Sequence, residues 1–251
     1  MYPPPIWSTL VLLRLLPLMG ASLSSDTPAC DVLVVGGSTA ALATALSAAD
    51  AEPSISVCLT EPTDWLGGQL TTSLITAIDF GHKNRHPSCL PSLFVDMLGS
   101  LGFPGTNPGN CWVSTFCYKA GDLLTRWIAP QVKQRANLRL YYNTVPVAAT
   151  VAGSVINSVQ FVQRKIRRGK QNDDDDGVLF SKQVEDWYNP SDSTTFTKTK
   201  ISISSRVVVD ATEFGDLLVL AGAAFVQGNE VNESTTKTYD TCGQAIVFPF
   251  Y

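Results

Sequence analysis

Asp31-Val32-Leu33-Val34-Val35-Gly36-Gly37-Ser38-Thr39-Ala40-Ala41 is the stretch that decides the fold. Val32 to Val35 are continuously apolar, as a strand covered on both faces of a parallel sheet must be. Gly36 and Gly37 end the run. Ala40 to Ala49, rich in alanine and leucine, then predicts a helix. Pro53 and Ser54 mark a turn. Ile55, Val57 and Leu59 alternate as a second strand over Ile55 to Leu59. Strand, helix and strand within about 30 residues make a βαβ unit.

The turn itself fits a dinucleotide fingerprint. That motif needs a glycine for the tight turn, a small residue where backbone meets pyrophosphate, and a small residue where helix packs on strand. Gly36, Ser38 and Ala41 take these places, with Ser38 departing from the usual glycine. The helix N-terminus offers free amides and a positive dipole end to an anion. Glu61 follows the second strand, 25 residues beyond Gly36. An acid there can accept hydrogen bonds from both ribose hydroxyls of an adenosine. The alternative for Glu61 is a solvated loop acid.

Two later stretches complete the pattern. Trp65-Leu66-Gly67-Gly68-Gln69-Leu70 carries paired glycines that let backbone approach a flat or phosphorylated ligand. Val207-Val208-Val209-Asp210-Ala211-Thr212-Glu213-Phe214-Gly215-Asp216-Leu217 runs from an apolar strand through small and polar residues into a short helix. Asp216 also reads as an ordinary N-terminal helix acid.

Composition bounds the rest. The chain has 251 residues, 45% hydrophobic and 16% charged, long and apolar enough to bury a core. Eighteen Lys and Arg against 22 Asp and Glu leave a net charge of −4, which argues against nucleic acid as the main partner. Six cysteines, at 30, 58, 89, 111, 117 and 242, form no C-x-x-C pair, so neither a metal site nor a redox motif is expected. Cys58 reads as a core residue, and one disulfide among Cys89, Cys111 and Cys117 is expected of a secreted chain.

Ile6 to Met19 is apolar apart from Arg14 and Pro17, and Gly20-Ala21-Ser22 follows. A cleaved signal peptide over residues 1–24 is expected, with a secretory location and no stable membrane insertion, since the run is too short to span a bilayer. Asn232-Glu233-Ser234 is the one glycosylation sequon.

Between these landmarks, residues 71–118 read as a loop-rich insertion with a short helix over Ser92 to Leu101. Gly121 to Arg135 predicts a helix kinked at Pro130. Leu138 to Tyr142, Val145 to Val151 and Val155 to Val162 read as strands, as do Thr195 to Ser202 and Arg206 to Val209. The basic cluster Arg164, Lys165, Arg167, Arg168 and Lys170 meets the acidic run Asp173 to Asp176, which reads as a solvated hairpin tip. His82 and His86 read as exposed loop residues. No catalytic triad and no internal repeat are present in the sequence.

The four stretches, in this order, resemble the FAD-dependent oxidoreductases of the glutathione-reductase type, flavoproteins with two dinucleotide-binding domains. Glu61 to Gln69 and Asp210 to Leu218 look like one branch, the group named simply FAD-dependent oxidoreductase. The resemblance covers Cys30 to Tyr251, weakly from Gly81 to Cys117. It implies an α/β fold: a Rossmann-like FAD-binding βαβ sheet with an inserted, partly incomplete β-rich substrate domain. The FAD-binding domain would span residues 30–225, including a β-hairpin region at 155–205, and a substrate domain would begin at 226–251.

The resemblance also implies a site. FAD would contact Gly36, Gly37, Ser38, Ala40 and Ala41 through its pyrophosphate and Glu61 through its ribose. Gly67, Gly68 and Gln69 would lie on the flavin side, Val145 would meet the adenine, and Ala211, Thr212, Gly215 and Asp216 would close the far edge. Spacing alone gives a dinucleotide site; FAD rather than NAD comes from the resemblance. The expected function is flavin-dependent oxidation or reduction of a small molecule. The alternatives are a non-catalytic flavin- or nucleotide-binding protein and an NAD-binding dehydrogenase. Members of the group run longer than this chain, so it reads as the N-terminal half of a longer protein. On that reading it is expected to bind FAD weakly or not at all, and to turn over no substrate.

Overall fold

β1 (Ala29–Val35) sits in the middle of the sheet, which is why its apolar run is unbroken. The structure is a computed structural model and describes residues 28–78, 90–167 and 184–225. The signal-peptide segment, His82, His86, Cys89, Cys242, the sequon, residues 168–183 with their charge run, and 226–251 lie outside the described residues.

One six-stranded sheet organises the chain, in the order β3-β2-β1-β6-β5-β4. β2 (Val57–Thr60) and β6 (Phe196–Asp210) flank β1 in parallel, and β3 (Leu138–Tyr141) lies parallel beyond β2. β4 (Thr144–Ala152) and β5 (Val155–Ile166) form an antiparallel hairpin that continues the same sheet from β6. Pro146 is tolerated because β4 is an edge strand, where a missing N–H costs no inner ladder bond. The fold is therefore mixed α/β, a parallel βαβ sheet with antiparallel strands appended.

α1 (Thr39–Ala51) packs on one face of that sheet. Ala41, Ala45 and Ala49 recur every fourth residue and are buried with Leu42 and Leu46, so small side chains let the helix lie close. The core on this side also takes Leu66, Leu98, Phe116, Leu123, Trp127 and Ile128. On the other face Leu33 and Val35 join Val159, Phe161, Ile203 and Leu217. β1 thus feeds both clusters by simple alternation, Val34 to one side and Leu33 and Val35 to the other.

The insertion is less loose than its composition suggests. α2 (Ser92–Ser100) buries Met97 and Leu98, and Ala77 pairs with Cys117 in a short bridge. Asp96 of α2 accepts a 2.7 Å bond from the Trp127 indole. Trp127 belongs to a helix of three segments: Ala120–Leu123, a π turn Leu124–Ile128, and Ala129–Lys133. The expected irregularity at Pro130 takes the form of that π turn immediately before it, since proline has no N–H to return to the preceding turn.

Three expectations are corrected. Thr195 to Ser202 and Arg206 to Val209 are one 15-residue strand, not two. Ser204 and Ser205 looked like a break, but Ser204 is where β6 passes from antiparallel pairing with Ser158 to parallel pairing with Ala29. Cys58 is buried, as a core residue should be, yet it is bonded to Cys30 across a Cα separation of 5.9 Å. The expected disulfide in the insertion joins Cys111 to Cys117. Arg164, read as part of a solvated tip, is only 3% exposed. Its strand position turns it toward Pro62 and Trp187 rather than into water.

Candidate functional site

The site is assembled at the carboxyl ends of β1, β2 and β6, where open α/β sheets bind ligands. Gly36 leaves β1 with φ +104°, a conformation open to glycine at little cost. A β-carbon there would stand 2.7 Å from the Thr212 Cα, so the end of β6 is packed directly on the turn. The Gly36 amide donates to the Thr60 hydroxyl at 3.0 Å, which anchors the turn to β2.

Ser38 is the N-cap of α1. Its Oγ accepts from the Ala41 amide at 3.1 Å and donates to the Ala211 carbonyl at 2.8 Å. The serine that departs from the glycine fingerprint therefore faces inward and does not itself cover the helix terminus. The Gly67-Gly68-Gln69 turn is joined to the same place: Gly67 N donates to Gly37 O at 2.9 Å, and Thr39 Oγ1 donates to Gly67 O at 3.0 Å. Gly67 and Gly68 both have positive φ.

Glu61 is 2% exposed. Its Oε1 accepts from the Thr63 amide at 2.7 Å and the Thr63 hydroxyl at 2.8 Å. Its Oε2 is buried with no hydrogen-bond partner among the described residues. That oxygen lies over Gly37, where any β-carbon would collide with it. Burial pushes the carboxyl up to about 7, against the two Thr63 bonds that favour the ionised form; Glu213 and Asp64 add a smaller push in the same direction.

The sequence-derived residues converge. Gly36, Gly37, Ser38, Glu61, Gly67, Gly68, Ala211 and Thr212 pack together at the strand ends, with Ala40 and Gln69 exposed beside them. The Thr212 hydroxyl is already engaged, donating to Asp210 at 2.8 Å and accepting from the Asp216 amide at 2.8 Å. Gly215, at φ +73°, precedes the short helix Asp216–Leu220, and the Asp216 carboxylate accepts from the Tyr188 hydroxyl at 3.2 Å. Val145 is wholly buried, and its backbone lies one residue from Thr144 N, which donates to Glu61 O at 2.8 Å.

Two residues of this region went unmarked in the sequence. Arg164 donates to the Pro62 and Trp187 carbonyls, with its guanidinium stacked 4.6 Å from the Trp187 ring centroid. Glu213 places its carboxylate beside Gly68. Arg164 was read as part of a solvated tip, and Glu213 stood inside a recognised stretch with no role of its own. A cavity of about 370 Å³ lies elsewhere, between the hairpin turn Gly153-Ser154 and the helix Asp216–Leu220; none of Gly36, Ser38 or Glu61 lines it. Among the described residues no cluster of three or more His, Cys, Asp or Glu could hold a metal, and no helix is long and apolar enough to cross a membrane.

The class defined by this geometry is an α/β sheet with a glycine turn at one strand end and an acid at the next. More particularly, the chain belongs to the FAD dependent oxidoreductase family, whose model matches residues 31–171. No curated protein sequence matches it. Solved structures with some likeness include L-proline dehydrogenase from P. horikoshii, at 16% identity and TM-score 0.36 over 75% of this chain and 24% of that one. The fumarate reductase subunit FrdA of E. coli gives 13% identity and TM-score 0.39, over 74% of this chain and 32% of its own. THI4 of Thermovibrio ammonificans gives 14% identity and TM-score 0.45, over 80% and 67%. The chain spans only about a quarter to a third of the length of the first two.

Proposed function

We propose that the crevice holds the adenosine diphosphate end of FAD, within an oxidoreductase of the two-dinucleotide-binding-domain type acting on a small molecule. The observation that carries the reading is Glu61 Oε2, a buried acceptor without a partner, set over a glycine whose missing side chain leaves it room. A buried acceptor left unpaired costs about 1–3 kcal/mol, and a ribose hydroxyl donating to it would recover that. Family membership favours FAD over NAD as the nucleotide.

Each part of the turn has a task in this reading. Gly36 and Gly37 keep side chains out of the pyrophosphate path. Ser38 fixes the start of α1, with Ala40 and Ala41 in its first turn, so that the helix amides face the phosphates. Gly67, Gly68 and Gln69 take the flavin side. Backbone at Val145 borders the adenine, and Ala211, Thr212, Gly215 and Asp216 close the edge along β6. Bound FAD would supply the redox chemistry through its isoalloxazine ring, while the protein orients it and excludes water.

A secretory-route location belongs to the same proposal. Cys30–Cys58 and Cys111–Cys117 are of a kind that persists in oxidising compartments. Thiol titration of the unfolded, unreduced protein should find these four cysteines unreactive.

Competition binding tests the function. Against the weak or absent FAD binding expected of an N-terminal half alone, the assembled glycine turn and Glu61 lead us to expect that FAD binds saturably and that ADP displaces it, with NAD weaker than either. A clear preference for NAD, or no binding of any dinucleotide, would overturn the reading. Flavin binding with no reduction by any offered small-molecule donor would favour a binding protein over an enzyme.

A further inference from the structure

Ala211-Thr212-Glu213-Phe214-Gly215 joins β6 to the helix Asp216–Leu220 and passes over the glycine turn. Its first two residues pack on Gly36. Glu213 reaches further, to Gly68. A β-carbon on Gly68 would collide with Glu213 Oε1, and that same point lies 2.9 Å from the Ser38 Cα and 3.4 Å from Thr39 N. Gly68 thus borders both the Glu213 carboxylate and the first residues of α1.

Among the described residues Glu213 makes no hydrogen bond and no ion pair. The charged groups coupled to Glu61 are two acids, Glu213 and Asp64, and the cation Arg164, whose guanidinium already donates to the Pro62 and Trp187 carbonyls. Glu213 is an exposed residue, and partial desolvation of its carboxyl holds it above its ordinary range. The N-terminus of α1 is a favourable electrostatic feature for a carboxylate, and a ligand's phosphates would need the same place.

We propose that Glu213 sets the affinity of the crevice for phosphate-bearing ligands: its carboxylate stands where the phosphates would meet α1, and they bind only by displacing it. This rests on reading the crevice as the site of an adenosine diphosphate group. Tight binding then has to come from the ribose and flavin ends of the cofactor, and free nucleotide phosphates are held weakly.

The test compares ADP with adenosine on wild type, Glu213→Gln and Glu213→Ala. Like charges a few ångströms apart near a protein surface repel, and screening leaves part of that repulsion, so removing one should tighten ADP by about tenfold at low salt. Adenosine, without phosphates, should bind all three proteins alike, and the ADP gain should shrink as salt rises. A tighter complex cannot come from a misfolded variant. Unchanged or weaker ADP binding in both variants would overturn the proposal, as would an equal gain for adenosine. Failure of wild type to bind ADP, adenosine or FAD would overturn the reading of the crevice and this inference with it.

Discussion

The hydroxyl of Ser38 donates to the carbonyl of Ala211 at 2.8 Å, joining residues 173 positions apart in the chain. The same oxygen caps α1 through the Ala41 amide. One side chain thus fixes the glycine turn to the end of β6 and starts the helix that faces the ligand.

Ser38→Ala should remove both bonds and leave the Ala211 carbonyl unpaired in a buried place. N-cap loss costs about 0.5–2 kcal/mol and an unsatisfied buried acceptor about 1–3 kcal/mol, so a loss of roughly 2 kcal/mol is expected. Urea denaturation measures it. A variant as stable as wild type would mean the cap and the tie are dispensable.

Gly37→Ala should destabilise the protein, because its methyl group would occupy the position of the Glu61 carboxylate. Pairing it with Glu61→Ala should relieve the clash. The double variant should therefore lose less stability than the two single losses added together, by more than about 0.5 kcal/mol. Strict additivity in thermal melts would show that Glu61 does not pack on Gly37.

Glu61 gives stability a pH dependence of definite sign. Its carboxyl is held at about 7 in the folded chain against an ordinary 4.5, so the folded state binds the extra proton between those values. Stability from this group is fully present below about 4.5 and is lost as pH rises through about 7, on the order of 3 kcal/mol in all. A bound ribose reverses the preference, since its hydroxyls donate to the ionised carboxylate. Nucleotide affinity should therefore be fully present above about 7 and fall as pH drops below it. Glu61→Gln should flatten both profiles. Wild-type profiles already flat from pH 5 to 8 would place Glu61 in an ordinary solvated state.

Arg164→Met keeps the apolar bulk that lies on Trp187 but leaves the Pro62 carbonyl without its donor. A stability loss of about 1–3 kcal/mol is expected, together with weaker nucleotide binding, because Pro62 follows Glu61 directly. Arg164→Lys should recover only part of either, since an ammonium cannot stack and donate to two carbonyls in the same plane. Wild-type stability and affinity in Arg164→Met would return this residue to the surface role its sequence neighbours suggested.

The βαβ unit was legible because its signals are local: an unbroken apolar run, two glycines, an alanine-rich stretch and an alternating strand. Glu61 was legible by spacing from Gly36. Arg164 was not, because it stands in a run of basic residues, and only strand alternation decides which of them turns inward. The bond between Cys30 and Cys58 was hidden for a related reason. A parallel pairing brings together residues whose separation in sequence is set by the crossover helix. β6 looked like two strands because the change from one partner to another falls on a pair of serines. Glu213 lay inside a recognised stretch, but its significance depends on where the Gly67-Gly68 turn folds back, which no local pattern shows.

The most direct test is a titration of the chain with FAD, followed by flavin fluorescence, on wild type, Gly36→Trp and Glu61→Ala. Saturable binding by wild type is expected. Glu61→Ala should weaken it by one to two orders of magnitude, the worth of about 1.5–3 kcal/mol for hydrogen bonds to a charged group. Gly36→Trp should abolish it, since an indole cannot fit against Ala211 and Thr212 at that φ. No saturable binding by wild type, or equal FAD affinity in all three proteins, would contradict the assignment of the glycine turn and Glu61 to the cofactor.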